Sequence, residues 1–321
     1  MSNALQKYFR RLESRRAENT VSNRKVAIRQ FFEWKNNTEI DNIEDYDPTE
    51  LNITTIHIED FMDYLLADGY AKRSVQDKLY CVSNFARFCD KRDLGAIDVD
   101  ISETEADKLE GNKIDEYVDK RYLEIDEFKQ LLKSTEKLRD KILLKLMWDT
   151  GVRAQEAVDI KIQDIERDER KIEVENAKES KLKSSTKRSV WYTKRFDLML
   201  SKYLDKGYRD SYMYDDGNDE GHLLVTHQRP RMAVTEVNRI FRQRAEEAGI
   251  QEKIYTDMKG EDRYKYSSHC LRHSFTVHRV KNGCPIVYLQ DLLNHADIAQ
   301  TRKYLQFRED DLKEAYDKYS P

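Results

Sequence analysis

The sequence predicts a mainly α-helical chain with a small antiparallel β-sheet, divided into two domains. Apolar residues recur at helical spacing through most of the 321 residues, whereas only two short stretches alternate in the manner of strands. Between 98 and 111 the composition changes to Asp, Glu, Ser and Thr. We therefore predict a helical domain over 1–97, a linker over 98–119 and a second domain over 120–321.

The first domain is predicted to be a bundle of four amphipathic helices. Thr20 is expected to cap the second helix and Gly69 to end the third, as suits a hydroxyl acceptor and a residue that tolerates positive φ. The apolar faces of the four helices are Leu5, Tyr8, Phe9 and Leu12; Val21, Ile28, Phe31, Phe32 and Trp34; Ile58, Phe61, Met62 and Leu65; Val75, Leu79, Val82, Ala86 and Cys89.

The second domain is predicted to combine helices with one hairpin. An apolar helix ends at Gly151, and Arg153 begins the next one. Alternation over 172–174 and 190–192 predicts two strands of a hairpin or of a small antiparallel sheet. Further helices carry Phe196, Leu200, Tyr203 and Leu204; Val237, Phe241 and Ala248, before Gly249; and, in a tail helix, Leu312, Ala315, Tyr316 and Tyr319.

Composition excludes several classes of protein. The first 19 residues are crowded with charges and lack the apolar core of a signal peptide, and no apolar run reaches the roughly 18 residues of a membrane span. The four cysteines form no Cys-x-x-Cys pair, so we expect reduced thiols in a cytoplasmic protein without a membrane partner. The net charge of -4 does not indicate a nucleic-acid partner. Phosphate binding, however, depends on where basic groups cluster and not on the total charge.

Five residues together suggest a phosphate-handling site. His269 and Arg272 stand one helical turn apart and so share a helix face. His295 and Tyr304 follow nine residues apart, and Arg153 offers a second guanidinium. Arginine presents a planar fork to phosphate oxygens, histidine moves protons near neutral pH, and a tyrosine can form a covalent phosphoester. This chemistry requires neither a metal nor a nucleotide cofactor.

The order and spacing of these residues resemble the tyrosine recombinases, the phage-integrase family. The resemblance runs over most of 120–310. The matching pieces are Thr150-Gly151-Val152-Arg153-Ala154-Gln155-Glu156, His269-Cys270-Leu271-Arg272-His273-Ser274-Phe275, Leu292-Leu293-Asn294-His295 and Thr301-Arg302-Lys303-Tyr304. The preceding helical region is similar in size, though not in any motif, to the family's N-terminal core-binding domain.

The resemblance implies a site-specific DNA recombinase that acts in integration, excision or replicon resolution. Arg153 and Arg272 would bind the scissile phosphate, His269 and His295 would support proton transfer, and Tyr304 would attack to give a 3′-phosphotyrosyl link. Double-stranded DNA would lie between the two domains. Four protomers would assemble on two DNA sites, from a monomer or dimer when free, with the tail helix docking onto a neighbour.

The family's general-acid lysine belongs to the β-hairpin. Lys178 directly follows the first strand and is the first choice, and Lys181 and Lys183 remain alternatives because this hairpin is longer than the family's usual turn. Asn294 departs from the glycine that commonly precedes the family's histidine, but asparagine tolerates a left-handed backbone. Glu156 is expected to brace Arg153 or a nearby amide.

Three alternative interpretations compete with recombination. A type IB topoisomerase-like enzyme would use the same chemistry to relax DNA, but would more often carry lysine in place of His269. A catalytically inactive DNA-binding protein of the same fold would not need the complete set of candidate residues. A metal site on His269, His273 and His278 lacks further ligands at suitable spacing, and the last two fit helix packing or phosphate contact.

Basic residues cluster in a way that suits DNA. The segment 178–195 is strongly basic, whereas acidic residues concentrate in the linker, in 215–220 and in the tail. A second basic cluster consists of Arg229, Arg231, Arg239, Arg242 and Arg244. We expect DNA binding with a marked dependence on salt.

Overall fold

The computed structural model describes residues 3–47, 51–99, 122–175, 187–213, 219–256 and 262–294, together with Thr301 and Tyr304. Within this part of the chain, residues 3–99 belong to one compact unit and residues from 122 onward to another. The molecule is mainly helical with small sheets, and the predicted fold class is confirmed.

The first unit is a bundle of helices around an aromatic core. Its elements are α1 (Ala4–Glu13), α2 (Glu18–Asn36), β1 (Asn52–Thr54), α3 (Thr55–Ala67), α4 (Lys72–Asp90) and β2 (Ala96–Asp98). The predicted apolar faces are buried, apart from the half-buried Trp34. Gly69 follows the end of α3 with a φ of 80°, as predicted.

Two details of the first unit differ from the sequence prediction. Thr20 does not cap α2, because its amide already donates to the carbonyl of Ala17 at 2.9 Å, which places Thr20 inside the first turn. The parallel pair β1–β2 was not predicted, since three-residue strands are too short to show alternation. Asp98, assigned to the linker, pairs with Thr54 in these strands, and linker residues 100–119 lie outside the described residues.

The second unit combines helices with two small antiparallel sheets. Its helices are α5 (Ile125–Ser134), α6 (Leu138–Thr150), α7 (Ala154–Asp159), α8 (Lys194–Leu200), α9 (Val234–Glu247), α10 (His269–Lys281) and α11 (Ile286–Leu293). Its strands are β3 (Ile165–Glu166), β4 (Lys171–Glu175), β5 (Lys187–Trp191), β6 (Lys253–Thr256) and β7 (Asp262–Tyr264). The predicted tail helix lies outside the described residues.

The predicted hairpin is confirmed as the pair β4–β5. Ile172 stands opposite Val190, and both side chains are buried, as the alternation required. Strand β3 adds a third antiparallel strand in the order β3-β4-β5. Neither β3 nor the pair β6–β7 was predicted, because two residues show no period and β7 carries largely exposed residues.

Helix α6 is the central element of this unit, and it ends at Gly151 as predicted. Gly151 has a φ of 65° and donates its amide to the carbonyl of Met147 at 3.0 Å. A Cβ at this position would lie 2.6 Å from Cδ1 of Phe275 on α10. Glycine is therefore required both by the backbone conformation and by the close approach of α10.

Two remaining observations concern the cysteines and the possibility of a membrane-spanning helix. The four cysteines are free thiols, of which Cys89 and Cys270 are buried, and burial raises the pKa of both. No helix among the described residues combines the length and apolar character needed to cross a membrane.

Candidate active site

Arg272 connects the ends of two helices. It lies on the first turn of α10 and is 4% exposed. Nη1 donates to the carbonyl of Gly151 and Nη2 to that of Leu293, each at 2.7 Å. These are carbonyls at the C-terminal ends of α6 and α11, where the helix has no internal donor for them. The guanidinium thus fixes the two segments that precede Arg153 and His295.

The surroundings of Arg272 disfavour its charged form. The pKa of its guanidinium is lowered to about 9, mainly because the group is buried and also because of the positive charges of Arg153 and Arg188. Glu156 and Tyr304 act in the opposite direction and raise the pKa. All four groups are therefore close enough to Arg272 to interact with its charge, and a bound anion would stabilise it.

Glu156 binds Arg153 in the manner predicted from the sequence. The backbone amide of Arg153 donates to Oε2 at 2.8 Å and its Nη1 donates to Oε1 at 2.7 Å. Arg153 immediately precedes α7, so this carboxylate fixes the start of that helix. Glu156 is 1% exposed.

Arg188 on β5 is a third arginine of the cluster, and it was not among the predicted site residues. Its Nη1 and Nη2 donate to Oε1 and Oε2 of Glu156 at 3.2 and 2.8 Å, and its Nε donates to the carbonyl of Leu292 at 3.2 Å. The sequence did contain a signal, because Arg188 is in phase with Val190 on β5 and with Tyr192 just after it, and both of these side chains are buried.

Two of the three arginines, Arg153 and Arg188, bind the carboxylate of Glu156, and Arg272 lies close enough to interact with its charge. Burial alone would raise the pKa of Glu156, but hydrogen bonds and charges from Arg188 and Arg153 lower it to about 2. The carboxylate is therefore ionised at neutral pH. Three guanidinium groups (Arg153, Arg188 and Arg272) then face one negative charge, which leaves this part of the described site with a net positive charge. Such a cluster suits a phosphate diester.

Tyr304 lies against α10 and α11 and contacts a histidine. It is 7% exposed and packs with Phe275, Leu289 and Leu293. Its hydroxyl lies 3.0 Å from Nδ1 of His273, and the two ring centroids are 5.0 Å apart. No periodicity could have indicated this contact, because the two residues are 31 positions apart and on different elements.

His269 occupies a different environment from Arg272, although both were predicted on one helix face. It is the first residue of α10 and is exposed. With residues of α9 and of the β6–β7 pair it lines an open groove of about 650 Å³. Arg239, Arg242 and Arg263 also line this groove, so its surface is basic beside the histidine.

Two of the six predicted catalytic residues, Lys178 and His295, lie outside the described residues, as do Lys181 and Lys183. The catalytic roles of all six residues remain predictions. The described flanks are informative for His295, because Asn294 ends α11 with φ 48° and ψ 56°. This is the left-handed conformation for which asparagine was expected to substitute for glycine.

The three histidines considered as metal ligands have different surroundings. His273 contacts Tyr304, whereas Nε2 of His278 lies 2.9 Å from the carbonyl of Leu123 and its ring packs on Trp148. Within the described ranges, no group of three or more His, Cys, Asp or Glu side chains could hold a metal ion. His278 is thus a packing residue that anchors the start of the unit.

Comparison with known proteins identifies phage integrases and tyrosine recombinases as similar to this chain. The model of the phage integrase family matches residues 121–310. The tyrosine recombinase XerA of Pyrococcus horikoshii is 25% identical over 303 residues, which cover 94% of this chain and 88% of that protein. The tyrosine recombinase XerD of Oceanobacillus iheyensis is 24% identical over 317 residues, covering 98% and 96%.

Solved structures share the fold. The XerH site-specific recombinase bound to palindromic difH substrate, in a post-cleavage complex, has a TM-score of 0.67 at 17% identity and covers 92% of this chain and 78% of its own. A lambda integrase dimer bound to a COC′ core site has a TM-score of 0.64 at 16% identity and covers 95% of each chain. At these identities the likeness concerns the fold alone.

Proposed function

The chain belongs to the phage integrase family, and on that premise we propose that it is a site-specific DNA recombinase. It cleaves and rejoins DNA strands through a 3′-phosphotyrosyl intermediate, without a metal or ATP. The observation that carries this proposal is the cluster of Arg153, Arg188 and Arg272 around Glu156, with Tyr304 near enough to affect the pKa of Arg272.

The arginine cluster binds the scissile phosphate. Arg153 and Arg272 contact the non-bridging oxygens, and the lowered pKa of Arg272 means that its charged form gains from an anionic partner. Arg188 keeps Glu156 and Arg153 in place. As the bond to the leaving oxygen breaks, the same guanidinium groups stabilise the negative charge that spreads over the phosphorus oxygens.

Strand cleavage then uses Tyr304 as the nucleophile. Its phenolic oxygen forms a bond to phosphorus, and the bond to the 5′ oxygen breaks. Lys178 on the hairpin protonates that oxygen, with Lys181 and Lys183 as the alternatives. His269 and His295 donate hydrogen bonds or relay protons. Because the phosphotyrosine preserves the energy of the phosphodiester, a 5′ hydroxyl of another strand reverses the step without a cofactor.

The partners follow from this reaction. Double-stranded DNA is the substrate, and exchange of strands between two duplexes requires four protomers on two sites. We assign docking between protomers to the tail, through Leu312, Ala315 and Tyr316. Deleting 310–321 should abolish synaptic complexes in a mobility-shift assay while leaving binding of one site intact. Synapsis at the wild-type level would contradict this assignment.

We also propose a cytoplasmic location. Free cysteines and a DNA substrate both fit a reducing compartment that contains DNA.

Covalent trapping tests the reaction directly. The recognition site would be selected from genomic fragments and placed in a nicked duplex, from which the cleaved fragment diffuses away. Wild-type protein should form a denaturation-resistant adduct on a 3′ phosphate, and Tyr304→Phe should form none.

Other outcomes point elsewhere. An adduct that persists in Tyr304→Phe would move the nucleophile to Tyr316 or Tyr319. Tight binding without any adduct would indicate an inactive DNA-binding protein. Relaxation of a supercoiled plasmid without exchange of partners would indicate topoisomerase-like activity.

A further inference from the structure

The contact between His273 and Tyr304 extends the site beyond the six predicted catalytic residues. Nδ1 of His273 is 3.0 Å from the tyrosine hydroxyl, within the range for proton transfer along a hydrogen bond. Resting on the function proposed above, we propose that His273 accepts the phenolic proton when Tyr304 attacks DNA and returns it when the strand is rejoined.

The attack needs an acceptor for this proton. A tyrosine hydroxyl has a pKa near 10, so only about one molecule in a thousand is phenolate at pH 7 without assistance. Tyr304 is 7% exposed, which limits the access of water to its hydroxyl. A neutral imidazole has one nitrogen that accepts a hydrogen bond and can take a proton near neutral pH. In the tautomer that carries its proton on Nε2, His273 places such a nitrogen, Nδ1, at 3.0 Å from the reacting oxygen.

The sequence had assigned proton transfer to His269 and His295. The observed contact with the hydroxyl involves His273, which follows Arg272 directly. His273 is half-buried beside the apolar cluster in which Tyr304 packs, whereas His269 is exposed at the start of the helix. The burial of both partners favours a defined proton donor and acceptor over exchange with bulk water.

The proposed step balances. The phenolic oxygen of Tyr304 bonds to phosphorus as its proton moves to Nδ1 of His273. The bond from phosphorus to the 5′ oxygen breaks, and that oxygen keeps the electron pair and takes a proton from the general-acid lysine. In rejoining, the 5′ hydroxyl attacks phosphorus, its proton returns to the lysine, and the imidazolium of His273 protonates the departing phenolate.

Replacement by asparagine separates proton transfer from simple positioning. In His273→Asn, the Oδ1 of the new side chain would stand near the place of Nδ1 and accept the tyrosine hydrogen bond, but an amide does not take up a proton near neutral pH. In single-turnover cleavage of the nicked duplex, this variant should form the Tyr304 adduct about 10²–10⁴-fold more slowly than wild type. His278→Asn is the matched control, because it makes the same change on the same helix at a packing residue, and should cleave at the wild-type rate.

A substrate with a 5′-bridging sulfur identifies which proton is affected. A thiolate leaves without protonation, so this substrate bypasses the general acid but still requires deprotonation of the tyrosine. Lys178→Ala should therefore recover on the sulfur substrate if Lys178 is the general acid. His273→Asn should remain slow by a similar factor on both substrates.

Two results would overturn the role of His273. Cleavage by His273→Asn at the wild-type rate would show that the hydrogen bond only positions Tyr304. Recovery of His273→Asn on the sulfur substrate would show that the histidine acts on the leaving oxygen. Thermal unfolding and DNA affinity are measured for each variant, and cleavage by His273→Asn is compared with wild type at a temperature where the variant is folded.

The proposed recombinase function is judged separately in the same assay. It fails in this assay if wild-type protein forms no adduct, whereas an adduct from Tyr304→Phe would reject Tyr304 as the nucleophile and with it the role of His273. A normal adduct in wild type together with full activity of His273→Asn would reject the proton acceptor and keep the recombinase.

Discussion

Arg188 holds both carboxylate oxygens of Glu156, at 3.2 Å through Nη1 and 2.8 Å through Nη2. The same guanidinium donates through Nε to the carbonyl of Leu292, at the end of α11. One side chain therefore joins the second strand of the hairpin, the start of α7 and the segment before His295. Because candidate catalytic residues precede or follow each of these elements, the pair organises the site without itself reacting.

Replacing Glu156 with glutamine should destabilise the protein in a pH-dependent way. The pKa of Glu156 is lowered from its usual 4.5 to about 2, which corresponds to about 3 kcal/mol of unfolding free energy at pH 7. This stabilisation is fully present above pH 4.5 and is lost as pH falls toward 2. In urea unfolding, the difference between wild type and Glu156→Gln should stay constant from pH 7 to 5 and shrink below 4.5.

A carboxylate near solvent provides the control for this prediction. Glu173 on β4 bonds Ser189 and Lys171, and its pKa is also lowered, first by the hydrogen bond from Ser189. Because it is much less buried, Glu173→Gln should cost less than about 1 kcal/mol. A stability difference for Glu156→Gln that is the same at pH 7 and pH 3 would refute the assigned role of the carboxylate.

Replacing Arg188 with lysine should slow cleavage while preserving charge. A lysine cannot bind both oxygens of Glu156 and the carbonyl of Leu292 in one plane, so Arg153 and α11 lose a common support. We expect adduct formation to fall on the order of 10-fold, since a small displacement of phosphate-binding groups is costly. DNA affinity should change little, because the net charge is retained.

The same substitution at a remote arginine serves as the comparison. Arg167 donates to Asp197 and Ser201, each at 2.7 Å, and does not belong to the arginine cluster. Arg167→Lys should leave the cleavage rate unchanged. Equal losses of cleavage in the two variants would indicate a general effect on folding instead of a specific support of the site.

Periodicity and turn residues predicted the parts of the fold that depend on local sequence. The end of α6 could be predicted from Gly151, because glycine is favoured in the left-handed conformation that ends a helix. The pairing of Ile172 with Val190 could be predicted from the two-residue alternation of apolar side chains. The prediction that Thr20 caps α2 was wrong, because several residues near a helix start are able to cap it and the helix begins directly after Ala17. The capping preference of a residue does not by itself show which of these candidates the folded chain uses.

The contacts that define the site depend on the tertiary fold. Arg188 could be suspected from its inward-facing position on β5, but its partner Glu156 is 32 residues away. His273 and Tyr304 meet only because α10 brings one beside the segment that carries the other. Family resemblance supplied the set of candidate residues, whereas the distances between them required the structure.

Replacing Gly151 with alanine should lower stability more than its backbone conformation alone would cost. A left-handed alanine costs about 1–2 kcal/mol, and the added Cβ would meet Phe275 at 2.6 Å, adding about 1–3 kcal/mol. Gly249 is the control, because its φ is 69° but no atom lies within 4 Å of an added Cβ. Gly249→Ala should show only the backbone cost in urea unfolding, and equal losses would reject the clash with Phe275.

Cleavage should respond to Gly151→Ala as well. The carbonyl of Gly151 accepts a hydrogen bond from Arg272 at 2.7 Å, so displacement of this residue moves a phosphate-binding guanidinium. Single-turnover cleavage should therefore fall in Gly151→Ala at a temperature where the variant is folded, and remain at the wild-type rate in Gly249→Ala. A folded Gly151→Ala protein with normal cleavage would show that the hydrogen bond from Arg272 to the carbonyl of Gly151 is not needed to position the guanidinium.

Asn294 should tolerate glycine and resist alanine. Its φ of 48° and ψ of 56° end α11, and its amide donates to the carbonyl of Asp291 at 3.0 Å. Asn294→Gly should keep the wild-type melting temperature within a few degrees, whereas Asn294→Ala should lose about 1 kcal/mol, because an ordinary side chain is strained in this conformation. The two preceding carbonyls, of Leu292 and Leu293, accept hydrogen bonds from the site arginines, so Asn294→Ala should also slow cleavage.

Asn37 in the first unit allows the effect on cleavage to be separated from the effect on stability. It ends α2 with a φ of 47° and a ψ of 51°, nearly the same conformation as Asn294. Asn37→Ala should lower stability by a similar amount but leave single-turnover cleavage unchanged once DNA is saturating, because the described hydrogen bonds of the site arginines lie within the second unit. If both alanine variants slowed cleavage equally, the backbone at Asn294 would matter only for stability, and the support of Arg188 and Arg272 by the end of α11 would have to be abandoned.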